Sequence, residues 1–315
     1  MLTFCNRSTE PFYNQAFEEF VFQTFREDDI FFLWQNRPAV VVGSFQNICR
    51  EVHAAMLWEQ GIPVIRRMSG GGTVYHDLGN VNYTYITRQE GLVDYDRSLL
   101  PVIRALNAIG VPAEKRGVCD ITIGEKKISG SAQRAAGGRL LHHGTLLFEA
   151  DLAALDRITT HRKNDAFQSG GTVSAICTVT NIRDHLARDM TIEDFRSRLL
   201  DAMLPADAVS VTLTAEQEAE VCRLRDEKYR SWAWTWGRTP GFTYEKSGSF
   251  AGAPVTVRYG ARKGIVSDAA VDCPALDGAL AERLLNGARL CPETFADICR
   301  TLAGEHWREL LELLL

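Results

Sequence analysis

The sequence predicts an α+β fold, and three observations predict it. Phe12 to Phe25 carries apolar residues at Phe17, Phe20, Val21 and Phe25, close to helical spacing, with acids on the other side. Phe31–Trp34 and Ala39–Gly43 are short apolar runs split by Asn36-Arg37-Pro38, as expected of buried strands. Segments near 120–123, 127–133 and 140–148 follow one another as strands of one sheet.

The remaining elements follow in order. His53 to Gln60 suits a short helix closed by Gly61 and Pro63, and Ile62–Ile65 is strand-like. Val81–Ile86 is aromatic and β-branched, hence a strand. Leu99–Ile109 is a helix that stops at Gly110; Ile192–Met203 and Ala215–Lys228 are further helices. Trp232, Trp234 and Trp236 alternate, which predicts a strand or extended segment pinned by large apolar anchors at a domain junction. Beyond a boundary near 240–246, Val255–Tyr259 and Gly264–Ser267 read as a hairpin turning through Gly260–Lys263. Helical segments near 275–286, 292–302 and 305–314 complete a small α/β unit. The expected division is residues 1–243 and residues 244–315.

Composition narrows the class. The net charge of −5 leaves no basic footprint, so nucleic acid is not an expected partner. No apolar run approaches the ~20 residues that span a bilayer, and no basic-then-apolar start suggests a leader. Eight scattered cysteines without a CxxC read as reduced, mostly buried thiols, which places the chain in the cytoplasm.

Chemistry concentrates in three clusters. The first runs from Arg66-Arg67 through Ser69-Gly70-Gly71-Gly72-Thr73-Val74-Tyr75-His76 to Asn80. Three glycines keep no side chain between backbone N–H groups and a ligand, so their amides can face an anion. Two arginines add fixed positive charge with forked donors suited to carboxylate or phosphate. Neither a Walker A loop nor the dinucleotide fingerprint has this spacing. The second cluster is Lys127-Ile128-Ser129-Gly130-Ser131. Alternation places Lys127, Ser129 and Ser131 on one side of a strand and Ile128 on the other. The third is His142-His143-Gly144-Thr145. Adjacent histidines on a strand face opposite ways, so a packed, hydrogen-bonded pair lining the pocket is expected rather than a metal site.

The first cluster resembles the lipoate-binding loop of lipoate-protein ligases. That family carries Arg-Arg-x-Ser-Gly-Gly-Gly, then a small residue, Val, an aromatic and His-Asp-x-Gly-Asn; Arg66 to Asn80 matches throughout. Lys127 to Ser131 resembles its Lys-(Ile/Val)-Ser-Gly-Ser, and His142 to Leu147 its His-His-Gly-Thr-Leu-Leu. Lys228 to Pro240 is similar to the stretch that precedes its C-terminal accessory domain. The resemblance implies a biotin/lipoyl protein ligase fold (class II synthetase-like), with a mixed sheet flanked by helices and a small accessory domain. It implies ATP-dependent activation of lipoate to lipoyl-AMP, then transfer to a lysine of a lipoyl carrier. The implied carriers are lipoyl domains of 2-oxoacid dehydrogenases or a glycine cleavage H protein, and the ligase is expected as a monomer.

In that reading Lys127 is catalytic and contacts both lipoate and ATP. Asp120 holds Mg²⁺. Arg66, Arg67, Ser69, Gly70, Gly71, Gly72, Thr73, Val74, Tyr75, His76, Asn80, Ser129, Gly130, Ser131, His143, Gly144 and Thr145 bind substrate or nucleotide. The chain departs from the family in two places. Gly117-Val118-Cys119-Asp120 replaces Gly-Arg-Asn-Asp, and Gly170, Ile176 and Thr178 replace a lysine and two arginines of the adenylate-binding loop. Two alternatives follow: an ATP-independent lipoyl or octanoyl transferase using Cys119 as nucleophile, and a non-catalytic acyl- or carrier-binding protein.

Overall fold

The structure is a computed structural model and describes residues 1–89, 94–159, 166–175 and 177–315. An eight-stranded mixed sheet forms its centre. In spatial order the strands are Val209–Val211, Leu2–Phe4, Ile30–Trp34, Asn80–Arg88, Arg139–Leu147, Lys126–Ala136, Asp120–Ile123 and Glu114–Arg116. Leu2–Phe4 pairs in parallel with both neighbours, and the other pairings are antiparallel. Residues opposite one another share a face. Trp34, Asn82 and Thr145 therefore form one row across the sheet, and Phe32, Thr84, His143 and Ala132 form the next.

Helix Pro11–Thr24 packs on that face. Glu10 caps it, accepting hydrogen bonds from the Phe12 and Tyr13 amides, with Pro11 in the first turn. Its acids do not all face solvent as expected. Glu18 and Glu19 are buried, which is tolerated because each is paired. Lys228 Nζ and Tyr229 Oη reach Glu19 at 2.5 Å. On the opposite face, helices Tyr95–Ala108 and Ile192–Met203 bury Leu99, Val102, Leu106, Phe195 and Leu199 against Val81, Tyr83, Ile121 and Ile128.

A three-stranded sheet, Val64–Arg66, Ala39–Val42 and Val74–His76, carries the triple glycine. The loop joins the two outer strands and passes over the end of the middle one. A Cβ on Gly43 would lie 2.2 Å from the Gly71 carbonyl, so the crossing requires glycine there.

The C-terminal strands Phe242–Phe250, Ala253–Arg262 and Ile265–Asp272 form an antiparallel sheet with helices Gly278–Leu285, Pro292–Ala303 and Trp307–Leu314. Its hairpin turns through Lys263-Gly264, both at positive φ, rather than through 260–263. Two features tie this unit to the rest. Its sheet takes an edge strand, Ala166–Ser169, from the preceding part of the chain. One apolar cluster also runs from Val40, Ile48 and Leu57 to Phe242, Val257, Phe295 and Leu314.

The tryptophan segment corrects the expectation of an extended chain. Ser231 accepts the Trp234 amide and caps a one-turn helix, Trp232–Thr235. The rings then diverge, Trp232 donating to the Leu290 carbonyl and Trp234 to that of Arg66. Among the described residues no helix is long and apolar enough to cross a membrane.

Candidate functional site

Arg67 builds the glycine loop from beneath, and Arg66 braces the 43–46 turn beside it. Arg67 donates from Nη2 to the carbonyls of Gly70 (2.5 Å) and Gly72 (2.7 Å), and from Nε to Ser69 Oγ at 3.0 Å. Arg66 is wholly buried and donates to the carbonyls of Gly43, Gln46 and Thr235. Burial lowers both from the usual arginine range to about 10, which leaves them cationic at neutral pH. All their hydrogen-bond acceptors here are neutral oxygens. Two positive charges thus lie under the loop without a bonded carboxylate, an arrangement that attracts an anion.

Lys127 lies on the sheet face that meets this loop because its strand bulges. Asp120 opposes Gly130, Ile121 opposes Ser129, and Thr122 opposes Lys127, which leaves Ile128 without a partner of its own. The extra residue breaks the simple alternation expected from sequence. Lys127 shares a face with Gly130, where a Cβ would lie 2.9 Å from its ammonium. Ile128 turns into the apolar core, and Ser131 donates to the Cys119 carbonyl at 2.8 Å. Two residues beyond Gly130, Ala132 meets the loop, its Cβ 3.3 Å from where one on Gly71 would stand. Asp120 Oδ1 holds the ammonium at 2.8 Å. The Gly130 amide donates to Thr145 Oγ1 at 3.3 Å. The arrangement brings Lys127, Asp120, Gly130 and Thr145 together on the sheet face that meets Gly71.

Deeper in, His143 Nε2 lies 2.6 Å from Ser69 Oγ and its Nδ1 lies 2.9 Å from the buried Glu18 carboxylate. Thr84 Oγ1 donates to Glu18 and accepts from Trp34 Nε1. His142 points the other way, to Tyr83 (3.1 Å) and Gln133 (3.0 Å). Burial lowers His142 to about 3, so it is neutral and packed. His76 is likewise lowered to about 3 by burial, with its Nδ1 on Asn36. Asn80 donates to Asn82 at 2.9 Å. His76 Nε2, Asn80 Oδ1 and Asn82 Nδ2 are buried without a protein partner. Gly144 is required where it stands, since a Cβ would lie 2.6 Å from Tyr83 Oη.

Some expected residues are placed elsewhere. The Tyr75 side chain turns away from the loop and lines a cleft of about 590 Å³ with Arg37, Asp151 and Arg157. Val74 and His76 lie on the opposite side of that short strand. Glu18, Gln46, Glu51 and Ser174 touch the loop or the residues beside it and were not singled out in the sequence. An acid on the apolar stripe of the first helix is the one local signal that marks Glu18.

The segment matching the adenylate-binding loop lies against the glycine loop. Thr73 N–H donates to Ser174 Oγ at 2.8 Å, and Thr172 N–H donates to the Phe45 carbonyl at 3.0 Å. Thr178 and Thr180 bond the Lys127 backbone. A Cβ on Gly170 would meet nothing within 4 Å. Val118 is exposed. Ile176 lies outside the described residues. Burial, then Asp120, raises the Cys119 thiol above its ordinary value, against the pull of Lys127. That is the reverse of an activated nucleophile.

A family model, the lipoyl protein ligase A/B catalytic domain, matches residues 10–204. The chain belongs to the lipoate-protein ligase family. It is 35% identical over 272 residues to lipoate–protein ligase 1 of Staphylococcus aureus, covering 84% of this chain and 82% of that one. The structure of protein Ta0514 of T. acidophilum with bound lipoic acid superposes with a TM-score of 0.62 at 26% identity, over 75% of this chain and 98% of that one. A lipoate-protein ligase A bound with ATP gives 0.62 at 25% identity, over 74% and 97%. The ligases' mixed sheet and flanking helices are those seen here.

Proposed function

We infer that the protein is an ATP-dependent lipoate–protein ligase whose reaction takes place between the Lys127 strand and the triple-glycine loop. The observation that carries this is the position of Lys127. Its ammonium is held by Asp120 above a glycine, on the sheet face that meets a loop backed by buried arginines. A carboxylate is a poor electrophile until a good leaving group is attached. The lipoate carboxylate attacks the α-phosphorus of ATP, pyrophosphate leaves, and lipoyl-AMP forms. The ε-amine of a carrier lysine then attacks the acyl carbonyl and AMP leaves. Both steps gather negative charge on oxygens, which Lys127 and the Gly72 amide stabilise, while the Thr73 amide is taken by Ser174 Oγ.

Asp120 is a partly exposed carboxylate beside this lysine. Mg²⁺ is commonly held by one or two carboxylates together with substrate phosphates, so the residue fits the metal. When bound, Mg²⁺ neutralises phosphate charge. Ser69, His143 and Thr145 line the acyl side, and Ser129 and Ser131 support the strand. Arg66 acts on the loop's shape. Carriers are lipoyl domains, such as the E2 lipoyl domain solved with the ligase of Thermoplasma acidophilum, or a glycine cleavage H protein. The reading also takes residues 244–315 as an accessory unit on a monomeric enzyme.

The test is product analysis with lipoate, Mg-ATP and a lipoyl domain. Pyrophosphate and an acid-labile acyl-AMP are expected. Lys127→Ala should stop adenylate formation while calorimetry still detects lipoate binding. Unchanged turnover in that variant would refute the assignment.

A further inference from the structure

Residues 171–174 lie over the glycine loop, and a residue outside both holds them there. The Ser174 hydroxyl donates to the Glu51 carboxylate, and the Ser174 amide reaches the same oxygen at 3.2 Å. The hydroxyl oxygen accepts from Thr73 N–H at 2.8 Å and from Gln46 Nε2 at 2.9 Å. Gln46 Oε1 in turn accepts from Thr73 Oγ1 at 2.9 Å and from the Gly43 amide at 2.9 Å. A Cβ on Gly72 would stand 3.1 Å from the same hydroxyl oxygen, and one on Gly171 would stand 3.1 Å from Asn47 N. Glu51 ends the short helix Ile48–Glu51 and is buried. A buried carboxylate is unfavourable unless hydrogen-bonded, and two of its bonds go to this one serine.

We propose that Glu51 is a positioning residue that fastens residues 171–174 over the glycine loop through Ser174, keeping the acyl-adenylate from water until the carrier lysine arrives. The proposal rests on the ligase reading. It makes no demand on Glu51 to touch substrate. A mixed anhydride open to solvent hydrolyses, and a cover that excludes water prevents that loss. Without the fastening, ATP is still consumed but fewer acyl groups reach the carrier.

Two measurements test it. In hydrogen exchange of the free protein, Glu51→Ala and Ser174→Ala should speed exchange in peptides spanning 171–175 and 72–75. The expected effect is roughly ten- to hundredfold, the value of a hydrogen bond to a charged group. Glu51→Gln keeps an oxygen that accepts from Ser174 and should stay near the wild type. In turnover, pyrophosphate released per carrier lysine acylated should rise severalfold in both alanine variants and return in Glu51→Gln. Unchanged exchange in the alanine variants, or faster exchange with unchanged coupling, overturns the proposal. Ser174 is partly exposed, so Ser174→Ala carries the test should Glu51→Ala fail to fold. A wild-type protein that releases no pyrophosphate sinks the ligase reading, while the exchange result still judges the fastening.

Discussion

Lys127 folds its ammonium over Gly130 so closely that a Cβ on Gly130 would stand 2.9 Å from Nζ. The glycine is therefore part of how the lysine is aimed. Gly130→Ala should push the ammonium off its position while leaving the sheet intact. Losing one well-placed charged contact is worth about 1.5–3 kcal/mol, so adenylate formation should fall roughly 10- to 100-fold. Stopped-flow pyrophosphate release measures this, with circular dichroism as the fold control. A variant as fast as the wild type would show that Lys127 has room to spare.

Cys119 should be dispensable. Burial and Asp120 hold its thiol protonated, which disfavours a thioester route. Cys119→Ala should keep ligation within a few-fold of the wild type, and no hydroxylamine-sensitive acyl-enzyme should form. Loss of transfer with survival of adenylate formation would return the transferase reading to the front.

Thr178 offers a gain of function. Its carbonyl accepts the Lys127 amide at 2.9 Å, and the family resemblance places an arginine there. Thr178→Arg adds a forked donor where the phosphates of ATP are expected. By the same size of contact, roughly 1.5–3 kcal/mol, the KM for ATP should drop about tenfold or more. An unchanged KM, with lipoate KM also unchanged, would mean that the nucleotide binds elsewhere.

Stability should decline in acid through two histidines. His76 and His142 sit at about 3 when folded, against 6.5 for an ordinary histidine. Between these values the unfolded chain binds protons that the folded one refuses. Stability is therefore retained above about pH 6.5 and lost as pH falls toward 3, at up to about 1.4 kcal/mol per pH unit for each ring. Urea melts from pH 7 to 4 would show the slope, and His142→Gln should remove about one histidine's share. A slope identical in the variant would mean His142 titrates normally.

Much of the site was legible because it is local. The loop from Arg66 to Asn80 and the lysine strand each fit within a short window, and short-range spacing specifies them. The bulge at Ile128 was not legible, since alternation assumes one residue per rung. Glu18 and Glu51 were hidden for another reason. Each meets its partner more than a hundred positions away, and an acid near a helix end or among apolar neighbours reads first as solvated. The tryptophan spacing suggested a strand because period-two patterns outweigh a single capping serine when only side-chain polarity is weighed.

Strand Ala166–Ser169 pairs with Phe242–Glu245, and Gly170 follows it directly. At its other end the same stretch is stitched to Lys127 by the Val179 bridge. It is a strap with one buckle on the C-terminal sheet and the other on the Lys127 strand. Whatever displaces that sheet must also pull on the roof above the glycines.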